Sequence, residues 1–83
     1  HLLKPGVRVG ILFANQVEFV VAFFALQRLG AVVIPLSYRL TGPETQAVLD
    51  HAGAIGLLAS LSFEETLQNL SGLEWLVVHG NKA

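Results

Sequence analysis

The sequence predicts an α/β fold in which seven short elements follow one another in the order β-α-β-α-β-α-β. Three observations support this prediction: short apolar runs rich in β-branched residues, capping signals between them, and a glycine after each predicted helix. Strands separated by single helices are normally parallel and are joined by right-handed crossovers. We therefore expect an open, mainly parallel sheet.

Four apolar runs predict the strands. They are VRVGILFA from Val7, AVVIPLS from Ala31, AIGLLAS from Ala54 and EWLVVHG from Glu74. Three of the runs are nearly continuous in apolar residues, as in strands that are covered on both faces. Arg8 interrupts the first run, so one side of that strand should face polar surroundings. Pro35 predicts the end of the second strand, where a ladder N–H is dispensable.

Three helices are predicted between these strands. A Ser, Thr or Asn three positions before a Glu is the capping-box spacing, and it occurs at Asn15 with Glu18, Thr41 with Glu44, and Ser62 with Glu65. Glycine closes a helix at low cost in the left-handed conformation, and the candidates are Gly30, Gly53 and Gly72. The predicted helices span residues 16–29, 42–52 and 63–71.

The first predicted helix has hardly any polar face. Its apolar residues are Val17, Phe19, Val20, Val21, Phe23, Phe24, Leu26 and Leu29. A helix that is apolar all round is buried all round. Three helices are also too few to cover both faces of a four-stranded sheet. We therefore expect further sequence, or self-association, to supply the missing walls.

Composition limits the class of protein. The chain has 83 residues, which allows one small domain or a piece of a larger one. It is 53% hydrophobic and only 13% charged, whereas soluble domains have about a quarter charged residues, so part of the surface is expected to meet a partner. It contains no Met and opens on HLLKPG, which predicts an excerpt of a longer protein.

Charge and cysteine content exclude several functions. The formal net charge of −1 provides no basic stripe, so nucleic acid is a poor candidate partner. The absence of Cys excludes disulfides, thiolate metal sites and a cysteine nucleophile, and it fits an intracellular, cytoplasmic location. The longest apolar run, FVVAFFAL at 19–26, is too short for a transmembrane segment.

The loop after the second strand is the most site-like stretch. Ligands of open α/β sheets bind outside the carboxyl ends of the strands, and Ser37, Tyr38 and Arg39 lie there in the predicted fold. The structural alternative is that Tyr38 anchors the loop and Arg39 is a solvated or ion-paired charge. Ser37 has no His or acid in local register, so a nucleophilic role is not predicted.

No other group of residues predicts a catalytic or metal site. The histidines are His1, His51 and His79, and none of them is four residues from another on a helix. Asp50 and His51 are adjacent on a helix and should point apart. Asn15 opens a helix that could present N–H groups to an anion, but no glycine-rich approach precedes it. Neither G-x-G-x-x-G nor a P-loop occurs, so no catalytic, cofactor-binding or metal residue is predicted.

Residues 4–60, KPGVRVGILFANQVEFVVAFFALQRLGAVVIPLSYRLTGPETQAVLDHAGAIGLLAS, resemble the early N-terminal domain of the adenylate-forming (AMP-binding) superfamily. That superfamily includes acyl- and aryl-CoA synthetases, luciferases and peptide-synthetase adenylation domains. The form PLSYRLTGPE is most similar to the acyl-CoA synthetase branch, including fatty-acid-CoA ligases. The departures are Val7 where Asp is usual, Ala14 and Val17 where Pro is common, and Ser37 where Asn is common.

The resemblance implies a two-step ligase reaction. A carboxylate attacks ATP to give an acyl-adenylate and pyrophosphate, with magnesium assisting, and a thiol such as coenzyme A then takes the acyl group. The family motifs for this chemistry are a phosphate loop ending in Lys, an aromatic-plus-Glu segment, a ribose-binding Asp and a lid Lys. No position of this chain matches them, so no catalytic or ligand-binding residue is carried over.

Two hypotheses follow. In the first, residues 1–83 are a partial N-terminal subdomain of an acyl- or aryl-CoA synthetase of fatty acid metabolism. The chain is then inert on its own, and its partner is the remainder of the parent domain. In the second, the chain is a free-standing small α/β interaction module that self-associates through its apolar surface.

Overall fold

Residues 5–14 and 16–79 are described by a computed structural model, and they form the predicted succession of elements. The strands are β1 (Arg8–Leu12), β2 (Val32–Pro35), β3 (Gly56–Ser60) and β4 (Trp75–His79). The helices are α1 (Gln16–Arg28), α2 (Gly42–Ala52) and α3 (Glu64–Gln68), and a 3-10 turn, Leu61–Phe63, precedes α3. The predicted α/β class and element order are confirmed.

All strand pairs in the sheet are parallel, and the spatial order is β2-β1-β3-β4. The chain first moves from β1 to β2 on one side, and then crosses back to β3 and β4 on the other side. Right-handed crossovers in opposite directions put their helices on opposite faces of the sheet. Helix α1 therefore covers one face, and α2 and α3 cover the other.

Two apolar clusters match these two layers. The cluster on the α1 side contains Val9, Ile11, Phe13, Ala22, Leu26 and Ala31. The cluster on the other side contains Leu12, Leu36, Leu49, Leu57, Ala59 and Leu67. The central strand β1 contributes to both clusters, which explains why its apolar run does not alternate. Arg8, at the start of β1, is exposed as predicted.

The predicted capping box of α2 is present. The backbone N–H of Glu44 donates to Thr41 Oγ1 at 3.2 Å, and the N–H of Thr41 donates to Glu44 Oε1 at 2.9 Å. Gly53 closes the helix in the left-handed conformation at φ 71°. Gly30 has φ 85° and follows the end of α1, as predicted. The box predicted at Asn15 lies outside the described residues.

The capping box predicted at Ser62 and Glu65 is wrong. The N-cap of α3 is Phe63, which makes no side-chain capping bond. Ser60 engages Ser62 instead: their hydroxyl oxygens are 2.9 Å apart, and the Ser62 N–H donates to Ser60 Oγ at 3.4 Å. The 3-10 turn that results delays the helix by a residue. Helix α3 also ends at Gln68, well before Gly72.

We expect Thr41→Ala to lower the free energy of unfolding by about 1 kcal/mol, since it removes one half of a formed capping box. Thr41→Ser, which keeps the hydroxyl, should retain most of that stability. Chemical denaturation of the protein and its two variants measures the difference. Equal losses of stability in the two variants would contradict this role of the hydroxyl.

Gly56 makes room for the only tryptophan. A Cβ atom at Gly56 would overlap the Trp75 indole, which lies over the strand. Gly56→Ala should therefore displace the ring and lower the free energy of unfolding by about 1–3 kcal/mol, as overpacking of a core does. Gly42→Ala is the matched control because nothing lies within 4 Å of the added atom. Trp75 fluorescence and thermal unfolding report the change, and an unchanged emission spectrum in Gly56→Ala would refute the prediction.

The outer side of α1 is apolar and uncovered by the described residues. Val17, Val21 and Phe24 are 71%, 63% and 59% exposed, and they recur at helical spacing. We call Val17, Val20, Val21 and Phe24 the outer stripe of α1. None of the described helices is long and apolar enough to cross a membrane. The outer stripe is thus the apolar surface that further sequence, or self-association, is expected to cover.

Candidate functional site

The carboxyl edge of the sheet is where an open α/β fold binds ligands. Because all four strands are parallel, the residues that follow each strand meet at this edge. They comprise the loop of Ser37, Tyr38 and Arg39 after β2, the serines at the end of β3, and His79 at the end of β4. The first turn of α1, with Glu18, lies at the same edge.

The loop after β2 is held by its own hydrogen bonds. The backbone N–H of Arg39 donates to Ser37 Oγ at 3.1 Å, and the N–H of Leu40 donates to the Ser37 carbonyl at 3.2 Å. Leu36, directly before the loop, is buried in the core. The Ser37 hydroxyl therefore shapes the turn, and Leu36 fixes where the turn begins.

Tyr38 and Arg39 project from this loop into solvent. Tyr38 is 56% exposed, and the Arg39 guanidinium carbon lies 5.8 Å from the centre of the Tyr38 ring. This arrangement is a cation–π contact at an exposed position, where such contacts contribute only about 0.5–1 kcal/mol. Arg39 is thus a solvated charge, as in the structural alternative, whereas Tyr38 lies in solvent and does not anchor the loop in the core.

The structure also brings together two residues that the sequence analysis treated separately. His79 Nε2 lies 3.4 Å from Glu18 Oε2; the His79 side chain is exposed and the Glu18 side chain is partly buried. The residues are far apart in sequence, and only the parallel sheet places the end of β4 beside the first turn of α1. No sequence signal points to this pair, because the two residues come from distant parts of the chain.

Beside this pair lies an apolar groove of about 440 Å³ between α1 and strands β3 and β4. Its lining includes Phe13, Val17, Val21, Ala25, Leu58 and Val77. A second concavity, of about 480 Å³, lies between α2 and α3 and is lined by Gly42, Pro43, Gln46, Glu65, Thr66 and Asn69. Neither lining contains Lys or Arg, so neither offers the cationic surroundings that a triphosphate needs.

The remaining candidates do not assemble a site. Asp50 Oδ1 accepts a hydrogen bond from Gln46 Nε2 at 2.9 Å rather than from its neighbour His51. Gln46 also exchanges two bonds with the backbone of Ser71, at 2.8 and 3.0 Å, and so ties the segment before β4 to α2. Within residues 5–14 and 16–79, no group of three His, Asp or Glu could hold a metal ion. His1 lies outside the described residues.

Comparison with known proteins places this fold in a family. The family described as AMP-binding enzyme matches residues 2–80. The long-chain-fatty-acid–CoA ligase FadD13 of Mycobacterium tuberculosis is 41% identical over 52 residues, which are 63% of this chain and 10% of that protein. The feruloyl-CoA synthase of an Amycolatopsis species is 35% identical over 69 residues, which are 83% of this chain and 14% of that protein.

Solved structures show the same arrangement of elements. The anthranilate CoA ligase AuaEII in complex with anthranoyl-AMP superposes with a TM-score of 0.83 at 30% identity, covering 94% of this chain and 16% of that one. A long-chain-fatty-acid-CoA ligase, FadD1 from Archaeoglobus fulgidus, has the same fold with a TM-score of 0.85 at 24% identity, covering 95% and 16%.

The chain thus spans about a tenth to a seventh of the length of these two curated relatives and about a sixth of the two solved chains. The family match, in contrast, extends over nearly all of this chain. The chain therefore belongs to the AMP-binding enzyme family, the adenylate-forming family that its sequence resembles.

Proposed function

We propose that the parent protein is an ATP-dependent acyl- or aryl-CoA synthetase, and that residues 1–83 are a structural part of its N-terminal domain. The observation that carries the proposal is the family match over residues 2–80. CoA-ligase relatives at 41% and 35% identity support the reaction class. On this proposal the chain holds its share of the parallel sheet and is inert by itself.

The carboxyl edge supports the inert assignment. Adenylation requires cations or a metal aimed at the transferring phosphates, together with a pocket that holds the carboxylate. Among the described residues, this edge offers one exposed guanidinium, at Arg39, and one carboxylate–imidazole pair, Glu18 with His79. The described residues do not fit a magnesium ion either. ATP, magnesium and coenzyme A are therefore assigned to the rest of the parent.

The proposed reaction has two balanced steps. A carboxylate oxygen attacks the α-phosphorus of ATP, forming an acyl-adenylate and releasing pyrophosphate. The thiolate of coenzyme A then attacks the acyl carbon, forming the thioester and releasing AMP. We place this reaction in the cytoplasm. The residues of this chain take no direct part in either step and act only by holding the sheet.

A fatty or aromatic carboxylic acid is the proposed substrate. The relatives carry names of both kinds: long-chain fatty acid for FadD13 and ferulate for the Amycolatopsis enzyme. The AuaEII complex holds an aromatic acyl-adenylate.

The second candidate function is a self-associating interaction module. The outer stripe of α1 favours it, since Val17, Val21 and Phe24 expose more than half of their surface. In the ligase proposal the remainder of the parent domain covers the same stripe. The two functions therefore differ in what buries Phe24, which is an experimentally accessible question.

Acid-dependent exchange of labelled pyrophosphate into ATP by the parent protein tests the proposed function. The test uses a panel of fatty and aromatic carboxylic acids, because the first step is reversible and the acid is unidentified. A complete parent that gives no exchange with any acid of the panel would overturn the ligase assignment.

A further inference from the structure

The connection between β3 and β4 is a separate piece of the α2 side of the sheet. Residues 61–73 comprise the 3-10 turn, α3 and the loop that follows it. Both ends are fixed to the sheet, because β3 ends at Ser60 and the N–H of Glu74 donates to the Ile55 carbonyl at 2.7 Å. Among the side chains described in this segment, Leu67 alone is buried. Apolar packing therefore holds the segment weakly.

The segment is connected internally by its own hydrogen bonds. The N–H of Leu70 donates to the Leu67 carbonyl at 3.3 Å, and Asn69 Nδ2 donates to the Glu65 carbonyl at 3.4 Å. These bonds join the loop to α3 and reach neither α2 nor the sheet. Residues joined in this way open together when a local part of a protein unfolds.

One side chain of α2 ties the segment down. The N–H of Ser71 donates to Gln46 Oε1 at 2.8 Å, and Gln46 Nε2 donates to the Ser71 carbonyl at 3.0 Å. The Gln46 carboxamide thus satisfies both backbone groups of Ser71, as a neighbouring strand would. Gln46 is partly buried, so these bonds are shielded in part from water.

Asp50 holds the Gln46 amide in the orientation that this pairing needs. Gln46 Nε2 also donates to Asp50 Oδ1 at 2.9 Å, one turn further along α2. The amide nitrogen has two hydrogens, and the two acceptors use both of them. The amide oxygen is therefore left facing the N–H of Ser71. The carboxylate of Asp50 favours this orientation of the amide over the flipped one.

We propose that residues 61–73 form a flap on the α2 side of the sheet and that Gln46 is the latch that holds it closed. Breaking the two bonds to Ser71 releases the flap as a unit, while the four strands stay paired. This inference goes beyond the proposed ligase function and does not depend on it.

Release of the flap would change the concavity between α2 and α3. The flap supplies one wall, and α2 supplies the other wall, which includes Gln46. Leu67 packs beneath the flap in the cluster that contains Leu49 and Leu57. An open flap would therefore widen the polar concavity and expose an apolar floor. Because Gln46 is both part of the lining and the latch, a group that competes for its amide would favour the open state.

Residue-resolved hydrogen exchange in the full-length parent tests whether the flap opens as a unit. We expect the amides of Gln68, Leu70 and Ser71 to exchange through one common opening, with the same dependence on denaturant concentration. Their exchange should be at least about tenfold faster than that of the amides of Gly10 and Ile11. These two residues lie in β1, which has a paired strand on each side.

Gln46→Glu in the parent tests the latch. The variant has nearly the same shape, but a carboxylate cannot donate to the Ser71 carbonyl and is repelled by Asp50. We expect the flap amides to exchange about tenfold faster together, with the β1 amides unchanged. Ala47→Glu is the matched control, because it adds the same charge at the next, exposed position of α2. It should leave both groups of amides unchanged.

Several results would overturn the proposal. Faster exchange at Ser71 alone would show that the flap is not a unit, and equal acceleration in β1 would show a general loss of stability. Unchanged exchange in Gln46→Glu would show that Gln46 is not the latch. A Gln46→Glu parent that does not fold would contradict the survival of the sheet. None of these measurements uses turnover, so an inactive parent would count against the ligase function alone.

Discussion

The 83-residue chain alone is expected to give no acid-dependent exchange of labelled pyrophosphate into ATP, whereas the parent protein gives it with a fatty or aromatic acid. The reason is chemical: charge that develops on the phosphates has to be met by fixed cations or a metal. The described part of the chain brings one guanidinium, that of Arg39, and one imidazole, that of His79, to the relevant edge. The expected difference is between measurable turnover and none.

One assay measures both proteins at equal molar concentration, with and without each acid. Exchange by the chain alone would contradict the structural assignment.

Arg39→Gln and His79→Gln in the parent are the matched variants, since they remove the guanidinium and the imidazole that this chain places at the edge. Both should keep turnover within about threefold, which corresponds to less than ~0.7 kcal/mol of transition-state stabilisation. A loss of about a hundredfold in Arg39→Gln would place the loop after β2 in the active site.

Phe24→Lys is expected to weaken self-association of the 83-residue chain and to destabilise the parent protein. In the 83-residue chain Phe24 is 59% exposed on the outer stripe of α1, and we expect the chain to associate through this stripe. A lysine there should shift the chain toward monomer. In the parent, where the same stripe is proposed to be covered, the variant should lower the free energy of unfolding by about 2 kcal/mol or more, because burial of a Phe side chain contributes roughly 1.5–3 kcal/mol.

Analytical ultracentrifugation of the chain and thermal unfolding of the parent measure these two effects. Gln27→Lys is the control: it adds the same charge to an exposed, already polar position of α1. It should leave both measurements nearly unchanged. A monodisperse, cooperatively unfolding wild-type chain would argue against association, and a parent that tolerates Phe24→Lys would show that the stripe stays in water.

Local signals in the sequence determined the order of elements and the α/β class. The capping box of Thr41 and Glu44 and the left-handed Gly53 depend on residues three or four positions apart, so they form as predicted. The β-branched runs predict strands for the same reason. The capping box predicted at Ser62 did not form, because Ser60 offers a competing local hydrogen bond. The spacing of these residues in the sequence does not show which of the two bonds forms.

The tertiary structure decided everything that joins distant parts of the chain. A glycine inside a strand normally weakens the strand. A Cβ atom added at Gly10, however, would come within 2.8 Å of Leu49 Cδ2, so the missing side chain lets α2 pack closely against β1. The pairing of Glu18 with His79 and the position of β2 and β4 at the two edges of the sheet follow only from strand order. Sequence spacing determined local hydrogen bonds and the two faces of each element. Which elements became neighbours, and which apolar surface stayed open, depended on packing across the sheet, since contacts between distant residues leave no periodic signal along the chain.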